Sequence, residues 1–308
     1  MLAIFLETLP FFMLIGLGYG SGRTGFFTPE ATAYLSRFVF YFALSAMLIR
    51  FSANLSIDEL INWPFMGAYL FGSLVIWGLV MAVALIRKAS IAEAATESHV
   101  SITGNTGFLG IPMLSMLLGA AAIGPIMMIL VVDLIFFMTL FVVLVLASRD
   151  GRLRLSAFKI VARGLATNPM IMSIITGVLI SASGMHIPDP INDFLEILGS
   201  AATPGALFAI GASLAVKSAE RVYVAGWLTF AKLVLHPAAV AVTAYVVFRI
   251  DPYAAMVMVA SAALPVAGNV YIIAQHYGAA PARVSASILI STVLSIFTLS
   301  AVIALVQF

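Results

Sequence analysis

The chain has 308 residues, of which 63% are hydrophobic and 9% charged, and its formal net charge is +2. Soluble globular proteins carry about 25% charged residues, so this composition excludes a soluble enzyme domain and a long disordered tail. Four His and no Cys exclude a disulfide framework, a thiolate metal site and a cysteine nucleophile, and the small net charge gives no sign of a nucleic-acid partner.

A spanning helix needs roughly 20 apolar residues. Hydropathy and helix breakers predict ten spans, at 2–20, 30–50, 63–86, 98–118, 122–147, 168–184, 197–215, 222–248, 253–275 and 283–306. The apolar stretches are continuous and not alternating, which argues against membrane strands. Met1 to Gly20 has no basic leader and no small-residue cleavage site, and reads as the first span.

The loops after odd-numbered spans hold eleven Lys and Arg, and the loops after even-numbered spans hold two, Arg50 and Arg249. This asymmetry predicts a multi-pass protein of the cytoplasmic membrane with both termini outside the cytoplasm. Five of the eleven, Arg149, Arg152, Arg154, Lys159 and Arg163, form one basic stretch. It divides the chain into two five-span halves, 1–150 and 165–308. An odd number of spans per half sets the halves in opposite orientations, the inverted repeat common among secondary transporters. The predicted fold class is therefore an all-α integral membrane protein with two inverted five-helix repeats.

Spans 4 and 9 carry breakers at matching places. Span 4 contains Gly104-Asn105-Thr106-Gly107-Phe108-Leu109-Gly110-Ile111-Pro112, and span 9 contains Leu264-Pro265-Val266-Ala267-Gly268-Asn269. Freed backbone groups cannot face lipid, so they are expected in protein or along a wet cavity. A helix restarted at mid-membrane offers unpaired N–H groups and a partial positive charge, suited to a carboxylate. Asn105, Thr106 and Asn269 add polar side chains at that depth, and Gly104 and Pro265 mark the breaks.

Other polar residues fall inside spans. Asp133 in span 5 is a costly buried carboxylate, and is expected either to titrate during transport or to pair. Lys232 and His236 share one face of span 8. Lys232 has two readings, a counter-charge for an anionic substrate and a partner for Asp133. Ser45 in span 2 is a candidate for the substrate path. Arg37 and Arg50 read as snorkelling anchors, Glu7 as an interfacial carboxylate, and Glu93 and Glu97 as a solvated helix face. HExxH, GxSxG and GxxxxGK[ST] are absent, so neither ATP-driven transport nor the commoner hydrolytic chemistries have support.

Gly104 to Pro112 with Met113-Leu114 resembles the fourth-span motif of the auxin efflux carrier family, which includes plant PIN proteins and bacterial malonate and malate carriers. Ala263-Leu264-Pro265 with Ala274-Gln275-His276-Tyr277-Gly278 resembles the ninth-span motif, and Gly205 to Leu214 and Ser291 to Ser295 are similar to the bacterial members. The resemblance implies a scaffold of spans 1, 2, 6 and 7 and a mobile transport domain of spans 3–5 and 8–10. It also implies that broken spans 4 and 9 cross at the substrate site, that transport is elevator-like, and that the scaffold often dimerises. The family's fourth-span Asn falls on Asn105 and its ninth-span Pro on Pro265. Gly104 and Ser45 stand where plant or other members commonly have Pro, and the long plant loop is missing, which counts against auxin itself as substrate. The expected function is a secondary transporter of a small organic anion, a mono- or dicarboxylate, with a ligand-binding receptor on the same scaffold as the alternative. No cofactor is expected beyond a coupling ion, with proton, sodium and none left open.

Overall fold

Several helix starts are set by a polar cap followed by proline, whose missing N–H costs nothing at a first turn. Thr28 accepts from Ala31 N–H ahead of Pro29, Asn168 from Met170 and Ile171 ahead of Pro169, and Asp251 from Tyr253 and Ala254 ahead of Pro252. Ser90 and Glu93 form a reciprocal capping box, which starts a helix at Ile91, seven residues ahead of the expected span 4.

The computed structural model describes residues 2–150, 155–215 and 222–306. Arg152, Arg154, Lys217, Arg221 and the Arg149 side chain, all used in the loop count, lie outside the described residues. The helices are α1 (Leu2–Arg23), α2 (Pro29–Asn54), α3 (Trp63–Ile86), α4 (Ile91–Ile102), α5 (Thr106–Leu118), α6 (Ala120–Ser148), α7 (Leu155–Ala166), α8 (Pro169–Ser183), α9 (Asp189–Leu214), α10 (Tyr223–Val247), α11 (Pro252–Ala262), α12 (Gly268–His276) and α13 (Pro281–Val306). No strand forms among the described residues beyond one isolated bridge.

Among the described residues six helices are long and apolar enough to cross a membrane: α2, α3, α6, α9, α10 and α13. A seventh candidate is the pair α7 and α8, bent by 65° at its break. The shorter apolar helices α5 and α11 are parts of the two interrupted segments.

Two groups of helices pack closely. In one, α1 runs along α9, while α2 contacts both α8 and α9. A Cβ on Gly211 would collide with the Ile15 carbonyl and one on Gly18 with the Phe208 carbonyl, so these small residues let α1 and α9 touch backbone to backbone. In the other, α3 packs on α4 and α10, α10 on α13, and α11 on α6 and α13. Its core is filled by fully buried Phe65, Tyr69, Leu109, Met127 and Met258. Without water-driven burial between helices, such close fit and internal hydrogen bonds carry the cohesion.

Glu93 and Glu97 do not form a solvated face. The Glu97 side chain is only 1% exposed; Arg87 and Arg283 both bond it, Arg283 at 2.7 Å, and Arg283 also reaches Glu93 at 2.9 Å. This network ties α4 to the end of α3 and the start of α13. Arg50 is likewise no simple anchor, since it joins α2 to α9 through Glu196 at 2.9 Å and Asn192 at 3.3 Å.

Candidate functional site

The two interrupted segments meet. Residues 103–105 and 265–267 lie antiparallel, paired at Gly104 and Val266. Asn105 N–H donates to the Pro265 carbonyl at 2.8 Å, and Ala267 N–H to the Thr103 carbonyl at 3.1 Å. Val266 N–H donates to Ser291 Oγ at 3.1 Å. The backbone groups freed by the breaks are thus paired inside protein, as burial demands.

Gly104 has little room for a side chain. A Cβ there would stand 3.3 Å from the Ser261 carbonyl oxygen and 3.4 Å from Lys232 Nζ. Lys232 is fully buried and donates to the Ala262 carbonyl, the end of α11. A cation there satisfies an orphan carbonyl and opposes the negative end of the helix dipole. Lys232 also contacts His236 Nδ1 at 3.3 Å, and His236 Nε2 meets Ser73 Oγ at 2.9 Å. With Lys232 donating to Nδ1, the ring proton sits on Nε2 and is given to Ser73.

Asp133 accepts from Tyr69 Oη at 2.9 Å. Lys232 attracts Asp133 at longer range, but no ion pair joins them, because the ammonium is turned to the end of α11. Of the two sequence readings of Lys232, neither a direct pair nor a position on a cavity wall is observed; its ammonium bonds the Ala262 carbonyl, three residues before Pro265.

Beyond the crossing both chains restart as helices. Asn105 precedes α5 and Ala267 precedes α12, and neither side chain caps the helix it precedes. Two helix N-termini without a side-chain cap therefore leave the antiparallel pair at its opposite ends. Wide π-type turns occur at Thr106–Gly110, Asp133–Phe137 and Ala231–Leu235, and also at Val39–Ala43 and Val242–Val247, so departures from regular α-helix are spread through the bundle.

Two cavities flank this point. A small one, of about 30 Å³, holds at most a water or two. It is lined by Gly104, Asn105, Thr106, Asp133 and Asn269, with His99 at its edge. Asp133 Oδ2 and Asn269 Oδ1 are buried without a hydrogen-bond partner. A large one, about 1400 Å³, runs between the two helix groups. Asn105, Phe108, Leu134, Met138 and Asn269 line both cavities. Among the described residues no Asp or Glu lines the large one, whereas Arg37 and His276 do. Its far walls reach Pro29, Gly164, Ser213 and Pro281, next to the loops that carry the basic residues.

The sequence-predicted site residues divide accordingly. Gly104, Asn105, Thr106 and Asn269 come together around the crossing, with Asp133 behind them. Pro265 is buried, lines neither cavity, and contributes its carbonyl. Ser45 stands apart: its hydroxyl bonds the Phe40 carbonyl at 3.3 Å within its own helix, and it lines neither cavity. Lys232 and His236 form the support on the opposite side. Sequence reasoning missed Phe40, which stacks on Phe108 across the two helix groups with centroids 6.2 Å apart and planes at 3°. It also missed Arg37 as a wall residue.

The chain matches the family model described as membrane transport protein over residues 3–303. It is 31% identical over 302 residues to a protein of Rhizobium meliloti (strain 1021) named "Putative malonate transporter", an alignment covering 97% of this chain and 94% of that protein.

Proposed function

Because the chain belongs to the auxin efflux carrier family of membrane transport proteins, we propose that it carries small dicarboxylates of malonate size across the cytoplasmic membrane. The observation that supports this most is the crossing itself, from which two helices without side-chain caps restart beside a cavity whose wall, among the described residues, holds no carboxylate. N–H groups at helix N-termini and the helix dipoles favour an anion there, and the described residues of the wall set no acid against it. The name of the Rhizobium meliloti relative favours malonate as the first ligand to try.

In this reading the chain has ten spans in two inverted repeats: α1, α2, α3, the pair α4 and α5, α6, then α8, α9, α10, the pair α11 and α12, and α13. The helix α7 then lies at the membrane surface. The group α1, α2, α8 and α9 is the fixed scaffold, with its outer face free for a second copy. The other group is the moving block, which carries the crossing with it. Both termini face outward, and the large cavity opens to the cytoplasm. Substrate binds between Asn105, Asn269 and the first-turn N–H groups of α5 and α12, and the block slides along the scaffold to expose it on the other side.

The small cavity is the place for a coupling cation. Asp133 Oδ2 and Asn269 Oδ1 supply a charged and a neutral acceptor with no other partner, within the wall that also holds Asn105. A proton or a sodium ion bound there is sensed by the substrate through Asn105 and Asn269.

The test is uptake of labelled malonate into proteoliposomes with imposed proton and sodium gradients. Saturable uptake that one gradient accelerates is expected, and Asp133→Asn is expected to remove that acceleration. Binding without saturable flux would make the protein a receptor and refute the carrier reading. Equal acceleration in Asp133→Asn would remove the coupling role.

A further inference from the structure

Arg37 is the eighth residue beyond Pro29, the start of α2, about 12 Å along the axis at 1.5 Å per residue. A charge at that depth of a spanning helix is costly unless it is paired or in a wet cavity. Among the described residues Arg37 makes no ion pair. Its guanidinium lies over the Tyr34 ring, 5.9 Å from the centroid, a contact that orients the group and leaves its N–H donors unspent. It stands in the wall of the large cavity, where no carboxylate among the described residues competes for it.

Its neighbours lead inward. Phe40 is one helical turn deeper and stacks on Phe108, and Phe108 is one turn beyond Asn105. All four line the same cavity. A positive charge, two stacked rings and an uncapped helix N-terminus thus succeed one another along one path.

We propose that Arg37 is an anion subsite on the route to Asn105, and that it selects dicarboxylates over monocarboxylates. The inference rests on the carboxylate-carrier reading and adds to it the residue that counts the charges of the substrate. Coulomb attraction scales with ligand charge, so if loss of Arg37 weakens a monoanion about threefold it weakens a dianion of the same size about tenfold. A fixed charge facing water also makes binding weaker as salt rises.

The experiment compares malonate with propionate, which keeps the three-carbon skeleton and lacks one carboxylate. In proteoliposomes, Arg37→Gln is expected to raise the KM for malonate about tenfold and the inhibition constant of propionate about threefold. Arg37→Lys is expected to recover most of the malonate affinity, and added salt to shift KM less in Arg37→Gln than in the wild type. Equal changes for both acids, or Arg37→Lys behaving like Arg37→Gln, would overturn the subsite. Equilibrium dialysis of labelled malonate against the purified full chain separates the two readings. Malonate binding that falls in Arg37→Gln, without wild-type flux, would sink the carrier reading and keep the subsite. Absence of both binding and flux would overturn both.

Discussion

Asn105→Ala is expected to lower saturable malonate uptake about a hundredfold while leaving the fold intact. A hydrogen bond to a charged ligand contributes about 1.5–3 kcal/mol, and the upper value corresponds to that loss. The fold survives because Asn105 serves the crossing through its backbone. Its N–H donates to Pro265 and its carbonyl accepts from Leu109 and Gly110, and Ala keeps all three bonds. The side chain makes no cap and faces both cavities. The checks are initial uptake rates in proteoliposomes and the unfolding midpoint in detergent. Wild-type uptake in the variant would remove Asn105 from the site; a collapsed midpoint would show that the side chain is structural.

Glu97→Ala is expected to cost about 3 kcal/mol of stability. Removing one partner of a buried ion pair costs roughly 3–5 kcal/mol, because the remaining charge is left uncompensated. The low end applies here. Arg283 keeps Glu93, and the Arg87 side chain is 32% exposed and can turn to water, so its share is discounted. The measurement is a thermal or denaturant unfolding midpoint for Glu97→Ala, Arg283→Ala and the double variant. The double variant is expected to lose clearly less than the sum of the singles, since each single leaves the other's charge behind. Strict additivity would show that the network is not one unit. The loss also reaches the site, because α4 ends one residue before the Thr103 carbonyl that takes the Ala267 N–H.

The breaks in the chain were legible in the sequence. Gly104, Gly107, Gly110 and Pro265 sit where a lipid-facing helix has no reason to place them, and the structure puts both breaks at one point. Asn105 and Asn269 stood out as polar residues beside the breaks, and the structure sets both on the walls of the two cavities. The acid–base partners were not legible. Glu93 and Glu97 at i,i+4 look the same to a sequence reader whether solvent or arginine faces them, and Arg283 is 186 residues from Glu97. Lys232 and Asp133 looked like natural partners by charge. What decided otherwise is the end of α11 beside Lys232, whose open carbonyl only the assembled fold reveals. Ser45 failed because a serine in a helix can satisfy itself on its own backbone. Arg37 looked like an anchor since its distance from the helix start does not say which face it lies on, and the Phe40–Phe108 stack depends on that same unseen face.

The most direct test of the account is to hold the two helix groups together and ask whether transport stops. Phe40 and Phe108 face each other across them, and the chain has no native cysteine. Phe40→Cys/Phe108→Cys is bridged by a short reagent that forms a disulfide with each thiol, and uptake of labelled malonate is measured before bridging, after it, and after reduction. Uptake that stops on bridging and returns on reduction is the result expected of a block that must slide past a fixed wall. Undiminished uptake with bridging shown complete by mass spectrometry would contradict it.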